Sequence, residues 1–300
     1  MYIFIKKITI FFVAFLGYFL TVENAFSQNN YEFLGALKLN GNDKSVITYR
    51  LVFEELNGKL KGYSITDLAG KHETKNLIEG TYNKKLKLFE FRETNIVYTK
   101  SKFEQSAFCF VNFSGKLKLV QSTSKLEGAF KGLYKNKQKC IDGTLVLIGS
   151  TKLYNLVNKV NNRIQKSSKV DVKTKETINP LKVLDSLKTN RLSNDENLNV
   201  FWGSNKFKME IYDIGKEDGD VVNIYQNNKL ILAKHKLTNA KRFIEVVLDG
   251  TKNEFKIEAI NEGTIAPNTA KITLFDGDTS FDLMSNLKKG EKASITIHKK

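Results

Sequence analysis

The sequence predicts an all-β protein: two β-domains joined by an amphipathic helix and a polar linker. Three observations lead there. Residues 31–149 hold about nine or ten short runs of alternating apolar and polar residues, spaced some 8–12 residues apart. Residues 197–300 hold about nine more. Between them, one window changes period from two to 3.6.

Residues 1–27 read as a secretory signal. Lys6 and Lys7 supply the positive start, Ile8 to Val22 an uncharged apolar stretch, and Ala25 and Ser27 the small residues ahead of a cut before Gln28. The apolar stretch is short of the roughly 20 residues of a spanning helix, and no later segment is long and apolar enough to span. Export implies a periplasmic or extracellular protein in an oxidising compartment. There the two cysteines, Cys109 and Cys140, are expected to form one disulfide, closing a loop of about 30 residues.

Residues 28–150 form the predicted antiparallel barrel or sandwich. In YEFLGALKL, Tyr31, Phe33, Leu37 and Leu39 share a face; in SVITYRLVFE, Ile47, Tyr49, Leu51 and Phe53 do. Asn57-Gly58 is a hairpin signal because both residues tolerate positive φ. LKGYSIT follows, with Gly62 a candidate bulge. LIEGTY, LKLFEF, NIVYT and AFCFVNF continue the pattern; Ser114-Gly115 reads as a turn; KLKLVQS, KLEGAFKGLY and GTLVLIG complete it. The many aromatics of this half are expected mostly in its core. A hollow barrel would let some of them line a ligand cavity, as in lipocalin-like folds.

Residues 151–195 are the predicted helix and basic linker. Leu153, Leu156, Val157, Val160 and Ile164 fall on one helical face, which is expected to pack across the end of the first domain. The segment after it is polar and rich in lysine, with a short helix expected after Pro180. Residues 196–300, with many strands in about a hundred residues, suit a two-sheet sandwich, and Asn227-Asn228 sits at a hairpin turn.

The formal charge is +16, which raises the question of polyanion binding. Only five of the basic residues are arginine (Arg50, Arg92, Arg163, Arg191 and Arg242), the side chain suited to bidentate phosphate recognition. With export, this argues against nucleic acid as a partner.

The sharpest local motif is DIGKEDGD. Asp213, Glu217, Asp218 and Asp220 are four carboxylates in eight residues, an oxygen-rich set of the kind calcium takes, although the spacing is not that of an EF-hand. The alternative is a solvated acidic turn. No other cofactor is expected. A second loop, AINEGTIAPNTAKI, contains Asn261, Glu262, Gly263, Pro267 and Asn268 and reads as a structured connection between strands.

These two segments carry a resemblance. Asp213, Gly215, Asp218, Gly219, Asp220, Val222, Ile224, Tyr225, Asn227, Lys229 and Leu230, followed by Asn261, Gly263, Pro267, Asn268 and Thr269, resemble a small β-sandwich module of secreted and surface proteins of Bacteroidota. The resemblance covers about a third of the chain. It implies an immunoglobulin-like or carbohydrate-module-like accessory domain with no catalytic residue. The first half resembles uncharacterised exported proteins of the same group. The C-terminal residues do not resemble the sorting domain of type IX secretion, which leaves periplasm and cell surface both open.

Enzyme signatures are missing. No GxSxG, HExxH, GxGxxG or P-loop occurs, and His72, His235 and His298 lie far apart in sequence. His72-Glu73 with Asp67 reads as a polar loop rather than an acid/base pair. The expectation is a non-catalytic binding or adhesion protein of the cell envelope, with a glycan or another envelope component as partner. The alternatives are a lipocalin-like carrier and a hydrolase with a diffuse carboxylate site.

Overall fold

The computed structural model describes residues 29–41, 45–120, 124–171, 175, 190–277 and 279–299. The signal segment 1–27 and the short helix expected after Pro180 lie outside them.

The first half is a closed, eight-stranded antiparallel barrel of Asn29–Leu39 (β1), Val46–Leu56 (β2), Lys59–Thr66 (β3), Thr74–Asn83 (β4), Leu88–Thr99 (β5), Phe110–Lys116 (β6), Lys125–Leu133 (β7) and Gly143–Gly149 (β8). Each strand pairs with the next, and β8 returns to β1 with Leu145 opposite Leu37, so no edge remains. Alternation sends one set of side chains inward. Phe53 packs at 5.1–5.9 Å between ring centroids against Tyr31, Phe33 and Phe89, and Phe89 meets Phe91 and Phe113. An eight-stranded barrel is just wide enough for its own side chains, and these rings pack the middle of the lumen.

Several local expectations change. The described part of KLKLVQS does not form the expected strand: β6 ends at Lys116, and Leu117 folds in, its N–H donating to the Lys87 carbonyl. Ser114-Gly115 is no turn but lies within β6, where a Cβ on Gly115 would strike the Phe113 ring at 2.6 Å. From Leu88 onward, LKLFEF runs on into NIVYT as one continuous strand, β5. Gly62 is not a bulge. It pairs in register with Phe53, and a Cβ there would lie 2.1 Å from the Val52 carbonyl oxygen, so the position requires glycine for close approach. The Asn57-Gly58 hairpin forms as expected, with φ of 52° and 78°.

Cys109, just before β6, and Cys140, in the β7–β8 connection, form the disulfide with Cα atoms 6.0 Å apart. The bridge restricts the unfolded chain, so a Cys109→Ala/Cys140→Ala variant is expected to lose about 3 kcal/mol in denaturant melts.

The helix Ser150–Lys166 (α1) follows β8 directly. It packs on the outer wall of the barrel rather than across its end: Leu153, Tyr154 and Val157 lie against Leu34, Ile65 and Leu68. Leu156 and Val160, expected on the packed face, are 45% and 49% exposed. The exit direction of β8 brings only the first turns against the wall. No helix among the described residues is long and apolar enough to cross a membrane.

The second half is a two-sheet sandwich. Its strands are Arg191–Leu192 (β9), Asn197–Trp202 (β10), Lys206–Tyr212 (β11), Val221–Gln226 (β12), Lys229–Lys236 (β13), Arg242–Val247 (β14), Lys252–Ala259 (β15), Asn268–Phe275 (β16), Ser280–Leu287 (β17) and Lys292–Lys299 (β18). One sheet runs β13-β12-β15-β18-β10 and the other β14-β11-β16-β17-β9. The short β9 falls inside the segment expected as linker. Trp202, Phe207, Phe255 and Phe281 anchor the core between the sheets. The Asn227-Asn228 turn has φ of 49° and 66°, as a tight hairpin requires.

The two halves share a ladder. β6 accompanies only the first part of β5; at Tyr98 and Thr99, β5 pairs instead with Val200 and Asn199 of β10. Tyr98 is buried in the sandwich core, 5.2 Å from Phe281. Its hydroxyl sits between Glu73 (2.9 Å) and the Asn190 side chain. Lys100 adds an ion pair to Glu196 at 3.2 Å and a bond to the Arg191 carbonyl.

Candidate functional site

The docking of sandwich on barrel creates a cleft of about 390 Å³. Its barrel wall is the outer face of β2, β3 and β4, which presents Arg50, Tyr63, Ile65 and Lys75. Its sandwich wall comes from Asn190, Lys271 of β16, and Ser280, Asp282 and Leu283 of β17. Such inter-domain clefts are favoured ligand positions.

Three cations face the cleft, in different states. Arg50 pairs with Glu32 at 2.8 Å, and Lys271 with Asp282 at 2.9 Å. Lys75 makes no ion pair among the described residues; its ammonium lies over the Tyr63 ring, 3.9 Å from the centroid. Burial, reinforced by the nearby Arg50 charge, pushes the Lys75 ammonium down to about 8, with Asp282 opposing.

Sequence reading missed this site. Lys75 is one lysine among many, and Tyr63 one of the many first-half aromatics, expected mostly in the core. Nothing near either residue in sequence marks the sandwich wall that buries them.

The acidic motif lies at one end of the sandwich, in the β11–β12 connection. Asp213, Asp218 and Asp220 each place a carboxylate oxygen within 4.8 Å of the others. Glu217 does not join them: its Oε1 accepts the Asn239 backbone N–H at 2.6 Å, which turns it away. Burial pushes the Asp220 carboxyl up to about 6, the Asp218 and Asp213 charges adding to the effect against the Thr269 N–H.

The second loop of the sequence pattern closes on the first. Asn261 accepts the Val221 N–H at 2.7 Å and donates to the Gly219 carbonyl at 2.9 Å. Asn268 donates to the Val221 and Asn261 carbonyls. Gly263, at φ 56°, lies so close to Asp218 that a Cβ would sit 2.5 Å from its Oδ1. The two halves of the motif are therefore one structural unit.

Other polar groups serve the fold. Asp67 accepts the His72 N–H, and Glu73 accepts the Ala69 N–H and bonds the Tyr98 hydroxyl, so the His72-Glu73 loop is held by these residues. Inside the barrel, Glu93 accepts bonds from the Tyr49 hydroxyl (2.9 Å), the Ser64 hydroxyl (2.5 Å) and the Val111 N–H (2.7 Å). On the outer face of the sandwich, Phe243, Val247 and Phe275 are 40–70% exposed, with Lys208 over the Phe243 ring. Compared with protein-family models, with curated proteins and with solved structures, the chain finds no match.

Proposed function

We propose that the protein is an exported, non-catalytic binding protein of the cell envelope, and that its ligand is an acidic glycan or a similarly anionic envelope component seated in the cleft between barrel and sandwich. The observation that carries this reading is Lys75, a largely desolvated ammonium with no ion pair among the described residues, stacked on Tyr63 and flanked by Arg50 and Lys271. An aromatic face beside cations and amide groups suits a sugar ring bearing a carboxylate. The signal-like leader and the resemblance of the C-terminal third to Bacteroidota surface modules support the envelope as the place of action. The carrier reading draws no support from a lumen packed with phenylalanine rings.

The test is calorimetric titration with uronic-acid oligosaccharides and their neutral counterparts. Acidic ligands are expected to bind preferentially at pH 7, and Lys75→Met to weaken them about tenfold or more. Arg50 of β2, Tyr63 of β3, Lys271 of β16 and Asp282 of β17 face Lys75. Asp282 is held below the usual carboxylate range, burial opposing and the Lys271 and Thr273 bonds prevailing, so it stays charged. Affinity should therefore fall as pH rises through about 8, where Lys75 loses its proton. Equal binding of acidic and neutral sugars, or loss of binding in Phe243→Ala/Phe275→Ala with Lys75→Met unaffected, would overturn the cleft as the site.

A further inference from the structure

We propose that Asp213, Asp218 and Asp220 hold a calcium ion that locks the two motif loops together at the end of the sandwich. The argument starts from what each carboxylate already does. Asp213 Oδ1 accepts the Gly215 N–H at 2.7 Å, Asp218 Oδ2 the Ile265 N–H at 2.8 Å, and Asp220 Oδ2 the Thr269 N–H at 2.8 Å. Loop clamping accounts for one oxygen of each residue.

It does not account for the others. Asp218 Oδ1 and Asp220 Oδ1 are both buried without a hydrogen-bond partner, and Asp220 is only 2% exposed. A buried anionic oxygen with no donor is strongly unfavourable, and carboxylates gathered within 4.8 Å add mutual repulsion. A metal cation resolves both problems at once. The side-chain oxygen of Asn268, a fully buried residue adjoining Thr269, is likewise without a partner.

The donor chemistry selects the ion. The ligands are hard carboxylate oxygens without sulfur or imidazole, which excludes a zinc-type preference. They come from an irregular loop, and calcium tolerates irregular, flexible oxygen shells, whereas magnesium demands near-ideal octahedral geometry. The ion would bridge Asp213, whose backbone is bonded to Thr238 and Asn239, Asp218, whose carbonyl accepts the Thr264 N–H, and Asp220, whose carbonyl accepts the Leu237 N–H. The consequence is a cation that stabilises the sandwich end rather than one that performs chemistry.

The full chain, stripped with chelator, is the material for the test. Millimolar calcium is expected to raise the melting temperature by about 5 °C or more, with one-to-one stoichiometry in calorimetry. Asp220→Asn is expected to abolish both responses while melting no lower than the wild-type protein in chelator, because it relieves the repulsion; this separates lost binding from failed folding. Lys75→Met should keep the full calcium response, since the cleft is a separate site. No shift and no binding heat with calcium, an undiminished response in Asp220→Asn, or an equal response to magnesium would each overturn the assignment.

Discussion

Replacing Glu93 with leucine is expected to cost the fold about 3–5 kcal/mol, read as a fall in denaturant midpoint. Glu93 points into the barrel in phase with Phe89 and Phe91 and is 5% exposed. Its carboxylate gathers Tyr49 of β2, Ser64 of β3, the Asn76 amide of β4 and the Val111 N–H of β6. It therefore ties opposite walls of the barrel across the lumen. Leucine fills the volume but leaves every one of those donors buried and unsatisfied. Tyr49→Phe, which removes a single donor and leaves the others in place, should cost only about 1 kcal/mol. Burial holds the Glu93 carboxyl above its usual range, against the lowering pull of its donors. A carboxyl raised in the folded state contributes stability that is present below its unfolded value, near 4.3, and lost as pH rises through the folded value. That slope should vanish in Glu93→Leu.

Lys75→Met is expected to act in the opposite direction. The Lys75 ammonium titrates near 8 in the folded protein, below its ordinary 10.5, so below pH 8 the fold carries an unfavourable charge. Its contribution is full above 10.5 and is lost as pH falls through 8. Methionine keeps the bulk and removes the charge, with an expected gain on the order of 2 kcal/mol at pH 7. On the proposed reading, the same substitution should weaken acidic-ligand binding about tenfold or more. A residue that weakens the fold and strengthens recognition is the pattern of a binding site, in which stability is traded for function. Thermal melts from pH 6 to 10 check it: the gap between variant and wild type should narrow as pH rises through 8 to 10.

Much of the fold was legible because strand alternation is a local signal. Tyr49, Leu51 and Phe53 on one face and Ile272 and Leu274 on another announce half-buried strands without reference to anything distant. Closure of the barrel was not legible, since it depends on β8 finding β1 more than a hundred residues back. KLKLVQS misled because its alternation is genuine and Leu117 is buried, yet the neighbouring strands leave it no ladder to join. The helix pattern was correct in period and partly in face: Leu153 and Val157 meet the wall as expected, whereas Leu156 and Val160 stay exposed, because the direction in which the chain leaves β8 decides which residues reach it. The acidic cluster was three-quarters legible. Spacing identified Asp213, Asp218 and Asp220, but only the tertiary contact of Asn239 removes Glu217. Lys75 was invisible because its burial is supplied by strands about two hundred residues later. Glu93 left a faint trace: an acidic residue in phase with two phenylalanines.

The pairing of β5 with β10 has a mechanical meaning. Although the chain reads as two modules, they are not portable parts. A sandwich cut away from the barrel would keep its own strands but expose the β10 edge at Val200 and Asn199 and leave a socket beside Phe281 where Tyr98 belongs. Conversely, the barrel cannot swivel on its connector like a tethered bead, because a hydrogen-bonded ladder and a buried tyrosine hold it at a fixed azimuth. The spacing of the cleft walls is thus set when the chain folds, and the cleft is a gauge of constant width rather than a closing jaw.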